Sequence, residues 1–187
     1  MTTRLMVLGL LSEKPMSGYE MLQVMQMSQA DRWAGILTGS VYHALKKMEQ
    51  EGLVALDAVE QTGHRSKATY RLTEQGRAEL IRLLGEALTV PSIAYPTDLY
   101  AAMSFLHLLP QREVLDAIDR QIQLVEESLT SMKAGEAAKT AVTTLPSHIR
   151  LVFENIFEQH EVQLRFLHRL RQLVEEEGIA EPPAGEW

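Results

Sequence analysis

The chain of 187 residues contains no cysteine. That absence excludes disulfides, thiolate nucleophiles, iron–sulfur clusters and cysteine-ligated zinc together. No apolar run approaches the roughly 18 residues of a membrane span. No Gly-rich phosphate loop, paired catalytic carboxylates or Ser/His/Asp constellation stands out either. The apolar run Leu5–Leu11 follows Arg4 in the order of a signal peptide, but it is too short, and Glu13-Lys14 stand where a small-residue cleavage site belongs. The expectation is a cytoplasmic protein that is not an enzyme and carries neither metal nor cofactor. Basic charge is also scarce, with 18 Lys and Arg against 25 Asp and Glu and a formal net charge of −7. A uniformly basic nucleic-acid binder is excluded. A locally basic one is not, because the field at a surface depends on where charge sits.

Resolved along the chain, the charge is uneven. Residues 1–90 hold 10 basic and 10 acidic side chains, whereas residues 91–187 hold 8 basic and 15 acidic. The two halves therefore suit different partners. The segment Val90-Pro91-Ser92-Ile93-Ala94-Tyr95-Pro96, with two prolines and no helical period, is the expected joint between domains 1–90 and 91–187.

In the first half, Thr3–Leu11 reads as a helix ended by Glu13-Lys14-Pro15. Ser17-Gly18-Tyr19-Glu20 fits a capping box opening a second helix to about Ser28. A loop through Trp33, Gly35 and Thr38 leads to a third helix, Gly39–Glu51, with Val41, Leu45 and Met48 at helical spacing and Gly52 as its left-handed stop. Leu53–Leu56 and Ala68–Leu72 read as two strands joined by a long polar loop, Gln61–Lys67, and Thr73 caps a further helix to Leu88. The order defines a winged helix-turn-helix. The class is mainly α with a small β-hairpin wing, followed by a helical, coiled-coil-like dimerisation domain.

That second domain should open with a helix from Pro96 to about Leu109. Pro110 then starts a helix carrying Leu115, Ile118, Ile122, Val125 and Leu129 at alternating spacings of three and four. A small-residue loop or frayed helix end is expected over Ala134–Thr144, and Pro146 begins a long helix to Glu177 with Ile149, Phe153, Ile156, Leu167 and Leu170 on its apolar stripe. Helices this long and apolar need another helical surface, so these residues are the expected homodimer interface. The tail 181–187 is expected to be disordered.

Chemistry concentrates on the third helix. Opposite its apolar face it carries Ser40, His43, Lys46 and Lys47, with Tyr42 beside them. A recognition helix sets such residues against bases and phosphates. From Gln61 to Thr73 there are three basic residues (Arg65, Lys67 and Arg71), one histidine and no acid, which suits a phosphate- or minor-groove-contacting wing. His160 interrupts an apolar stripe, as either a ligand or a hydrogen-bonded core residue; its sequel, Glu161-Val162-Gln163-Leu164, lacks the second histidine of a zinc-protease motif. Met21, Met25 and Met27 read as core filling. Trp33, Tyr95, Met103, Phe157 and His160 are the candidates for a pocket taking a small apolar or aromatic effector.

The first 90 residues resemble the PadR-type winged helix transcriptional regulators. The resemblance rests on Val7-Leu8-Gly9-Leu10-Leu11, Ser17-Gly18-Tyr19-Glu20, the run from Gly39 through Tyr42-His43-Ala44-Leu45-Lys46-Lys47 to Val54, and Tyr70-Arg71-Leu72-Thr73-Glu74-Gln75-Gly76-Arg77. The helical second half is similar in layout to the longer subfamily. The resemblance implies a homodimer on a pseudo-palindromic double-stranded operator, typically a repressor relieved by a small molecule. It implies phosphate contacts from Tyr19, Ser40, Tyr42, Lys46 and Lys47, base contacts from Thr38, Gly39 and His43, and wing contacts from Arg65 and Lys67. Lys67-Ala68 stands where the family usually has two basic residues, so one phosphate contact is missing. The competing reading is a small-molecule sensor acting through protein partners, with the winged fold as an interaction module.

Overall fold

A computed structural model describes the chain apart from residues 29, 63, 64, 94 and 180–187, and apart from the side chains of 31, 32, 60–62, 65 and 66. It divides into two compact units, Met1–Ser92 and Ile93–Trp187. The expected disorder of the tail lies outside the described residues.

The first unit runs α1 (Thr2–Glu13), β1 (Met16–Ser17), α2 (Gly18–Met27), α3 (Ala30–Trp33), α4 (Thr38–Gln50), β2 (Val54–Thr62), β3 (Arg65–Leu72) and α5 (Glu74–Thr89). The strands form one antiparallel sheet in the order β1-β3-β2. Its core joins Val7, Leu8 and Leu11 of α1, Met21 and Met25 of α2, Val41, Leu45 and Met48 of α4, and Leu80 and Leu83 of α5. Met21 and Met25 are core filling as expected, whereas Met27 is exposed.

Each boundary has a local cause. The capping box is complete: the Ser17 hydroxyl accepts from the Glu20 amide at 3.3 Å, and the Ser17 amide donates to the Glu20 carboxylate at 2.8 Å. α4 ends in a Schellman turn, with Gly52 at φ 73°, its amide on Glu49 O and the Leu53 amide on Met48 O. Thr73 then caps α5 by accepting from the Gly76 amide at 3.0 Å, while its hydroxyl donates toward Gly52 O and Leu53 O.

Four expected element boundaries up to Leu109 change in the structure. The loop through Trp33 contains a helical turn, α3. A two-residue strand, β1, too short to show a pattern, pairs Met16 with Tyr70 and Ser17 with Thr69. The wing loop Gln61–Lys67 is mostly ladder, because pairing continues to Thr62↔Arg65 past a bulge between Leu56 and Ala58. Beyond the joint, the helix Pro96–Leu109 is a short α6 (Thr97–Met103) and a 3-10 turn at Leu106–Leu108. Leu109 lies extended at φ −108°, ψ 146°, as the residue before a proline prefers.

The second unit is otherwise a pair of long helices, α7 (Gln111–Val142) and α8 (Ser147–Glu177). Of the stretch Ala134–Thr144, expected as a loop or frayed end, residues 134–142 are the last turns of α7 and only Thr143 and Thr144 lie beyond it. The alanines there favour helix strongly enough to carry Gly135, and Thr143, extended at φ −157°, ends it. Val114, Ile118, Ile122, Leu167, Leu170 and Val174 are buried between α7 and α8. Gln111 donates to Val174 O at 2.6 Å, and Arg171 pairs with Asp119 at 2.6 Å across the helices. Among the described residues no helix is long and apolar enough to cross a membrane.

Gly76 is the tightest junction in the first unit. A Cβ there would lie 2.0 Å from Leu53 O, a backbone atom with no room to move. Gly76→Ala is expected to cost about 3 kcal/mol in a urea melt. Unaltered stability would contradict the close approach of α5 to the Leu53 backbone.

Candidate nucleic-acid interface

A helical repeat of 3.6 residues sets the face of α4. Val41, Leu45 and Met48 are buried, so Gly39, His43, Lys46, Lys47 and Gln50 fall on the opposite side, and all five are exposed. Tyr42 and Lys46 border one flank. They line an open groove of about 700 Å³ together with Tyr19 of α2 and Lys67 of β3. Ser40, His43 and Lys47 border the other flank, a shallower hollow of about 290 Å³ beside Thr3 and Arg4. Nine of the ten expected DNA-contacting residues thus gather on one surface: Tyr19, Thr38, Gly39, Ser40, Tyr42, His43, Lys46, Lys47 and Lys67. Arg65 takes its place in the ladder opposite Thr62.

The N-terminus of α4 has no side-chain cap. The Ser40 hydroxyl instead donates back to Leu37 O at 2.6 Å. Such a helix end presents amides to an anion.

Tyr42 owes its position to a missing side chain. A Cβ on Gly18 would lie 2.6 Å from its Cε1 atom, so the ring rests on bare backbone at the start of α2. The capping-box pattern located Gly18 in sequence but did not show this contact.

Glu20 was read as a cap alone, and it does more. Its second carboxylate oxygen accepts from the Lys67 ammonium at 3.0 Å. The hydrogen bond from the Ser17 amide, then those from Lys67 and the Ser17 hydroxyl, hold the Glu20 carboxyl well below the usual range, at about 2. Arg71 likewise sits 3.7 Å from Asp57. The wing's positive charge is therefore partly matched by acids from α2 and β2, which a count confined to Gln61–Thr73 missed. Glu49 adds a carboxylate to the groove. Burial, then the Glu49 charge, raises the Tyr70 phenol, in keeping with Tyr70 as packing.

The remaining candidates have separate partners. Trp33 is exposed, and its ring N–H donates to Ser28 O at 2.8 Å. Tyr95 packs near Tyr100, with ring centroids 6.5 Å apart, and Met103 packs on the α7–α8 core. Phe157 lies 6.1 Å from Phe153, with the Lys133 ammonium 5.7 Å over its ring. His160 is hydrogen-bonded on both sides. Nδ1 lies 2.7 Å from Ile156 O, which cannot donate, so Nδ1 carries the proton, and Nε2 meets the Ser128 hydroxyl at 3.0 Å. Of the expected dimer residues, Ile118, Ile122, Phe153, Leu167 and Leu170 are buried within the chain, while Leu115, Val125, Leu129, Ile149 and Ile156 are half-buried. Among the described residues no cluster of three His, Asp or Glu could hold a metal.

The fold and this surface define a winged helix-turn-helix protein of the transcription-regulator class. Residues 7–82, which span the winged domain, match the transcriptional regulator PadR-like family. The chain is 25% identical over 127 residues to the negative transcriptional regulator PadR of Bacillus subtilis, covering 68% of this chain and 69% of that protein. It is similar in structure to Bacillus subtilis PadR in complex with operator DNA, with TM-score 0.73, 21% identity, and 93% and 99% of the two chains covered. It is similarly like the same protein in complex with p-coumaric acid, with TM-score 0.73, 20% identity, and 94% and 100% covered.

Because the Glu20 carboxyl is depressed on folding, its stabilising contribution is fully present above about 4.5 and is lost as pH falls toward about 2. Glu20→Gln should flatten the fall in thermal midpoint across that window. A variant as acid-sensitive as the parent would remove Glu20 from the cause.

Proposed function

We propose that this chain is a homodimeric, sequence-specific DNA-binding regulator acting as a repressor, its grip relieved by a small apolar or aromatic effector. The observation that carries the reading is the single surface formed by α4, Tyr19 and Lys67, where Lys46 and Lys67 line a groove along a helix whose N-terminus has no side-chain cap. Lys46, Lys47, Tyr19, Tyr42 and Lys67 would take phosphates and fix register. His43, with Thr38 and Gly39, would meet base edges. The relative is a negative transcriptional regulator, and this, with its structures bound to operator DNA and to p-coumaric acid, supports the repressor and effector parts. Tyr95, Met103, Phe157 and His160, all in the second unit, are the proposed effector contacts. A cytoplasmic setting goes with this reading.

The homodimer would set two winged domains on half-sites about one helical turn apart, on a pseudo-palindromic operator. Since Ile118, Ile122, Leu167 and Leu170 already pack within the chain, the face left for a second copy includes Leu124, Leu151, Val162 and Leu173, exposed by 55%, 62%, 56% and 48%. The acidic second half would also disfavour indiscriminate DNA association.

Fluorescence anisotropy on the DNA upstream of the chain's own gene tests the reading, with p-coumarate as the effector probe. Lys46→Ala and Lys47→Ala should each weaken binding to every duplex and reduce the salt slope by about 1. An unchanged slope would take that lysine off the phosphates. His43→Ala should instead relax sequence preference while leaving the slope alone.

Val162→Asp should shift the protein from dimer to monomer in analytical ultracentrifugation, with helicity retained. Sedimentation still as a dimer would move the interface elsewhere.

A further inference from the structure

The recognition helix begins on a residue that no capping rule favours. Leu37 occupies the N-cap of α4, where Ser, Thr, Asp or Asn would serve the first amides, and it makes no side-chain bond there. Its side chain is not in the core either, being 70% exposed. It is followed by exposed Thr38 and Gly39 at the start of α4. With Leu22, Met25, Ile36, Gln26 and Thr38 it edges a hollow of about 160 Å³ whose wall is largely apolar. Neither capping nor burial therefore accounts for leucine at this point.

A helix that enters the major groove puts its N-terminal end against the base edges. The groove there offers carbonyl and ring-nitrogen acceptors, amino donors, and a single apolar group, the C5-methyl of thymine. Leucine has no polar atom, so against any other base edge it would leave a donor or acceptor without a partner, at a cost. We infer that Leu37 is a specificity-determining residue that selects thymine at one position of each half-site by packing against its C5-methyl. The inference rests on the DNA-binding reading above and names part of its base code.

The test uses the full chain and duplexes selected by it from a randomised pool, then remade with uracil for thymine one position at a time, which removes the methyl alone. At one position per half-site the parent should bind the uracil duplex about fourfold more weakly, the value of one buried methyl-sized group. Leu37→Ala, at an exposed site, should bind thymine and uracil duplexes equally there, and Leu37→Met should restore the difference. The inference is overturned if the parent shows no methyl dependence at any position. It is equally overturned if Leu37→Ala keeps the parent's discrimination, or weakens all duplexes while keeping it. A parent that enriches no sequence from the pool overturns the DNA-binding reading, and this inference with it.

Discussion

The carboxylate of Glu20 receives three donors from two distant places in the chain's path. The Ser17 amide and hydroxyl bind one oxygen, closing the start of α2, and the Lys67 ammonium binds the other, 47 residues later in sequence. One side chain thereby fixes where the first helix of the motif begins, how it meets the edge of the sheet, and where the wing's lysine rests. Gly18, inside the same capping box, leaves the space into which the Tyr42 ring settles. The groove between α2, α4 and β3 is a product of this corner. Neutralising or displacing Glu20 would change the alignment of helix and wing before it changed the core.

The second unit uses its apolar residues differently from a simple pairing seam. Val114, Ile118, Ile122, Leu167, Leu170 and Val174 close an intramolecular interface, and Arg171–Asp119 and Gln111–Val174 bonds set its register. Further along, Ser128 and Ile156 O satisfy both nitrogens of His160. A polar residue in an apolar stripe is tolerated when its hydrogen bonds are made locally, so the interruption needs no ligand to explain it.

Much of this was legible in the sequence, for a physical reason: caps and stops are local. Ser17…Glu20, Gly52 and Thr73 each act within three or four residues, and each marks the boundary that its chemistry implies. The face of α4 followed from periodicity alone. What escaped was non-local or competitive. β1 is defined only by its partner Tyr70, and the Lys67–Glu20 and Arg71–Asp57 pairs cross between elements. At Ala134–Val142 small residues looked like a loop, yet alanine's helical preference outweighed one glycine. The pairing of α7 with α8 of the same chain, rather than of another, leaves no mark in a stripe of apolar residues.

The bulge in β2 has a bearing on how this wing can change length. Leu56 pairs with Tyr70 and Ala58 with Thr69, so Asp57 is the extra residue, and beyond it β2 switches parity while β3 does not. Lys67 and Arg71 keep the same parity along β3. Insertion or deletion of a single residue between Lys67 and Tyr70 would separate their faces, whereas a pair of residues would preserve them. The spacing of Lys67 and Arg71 along β3 is therefore kept only in steps of two, whereas β2 takes up a single extra residue at its bulge.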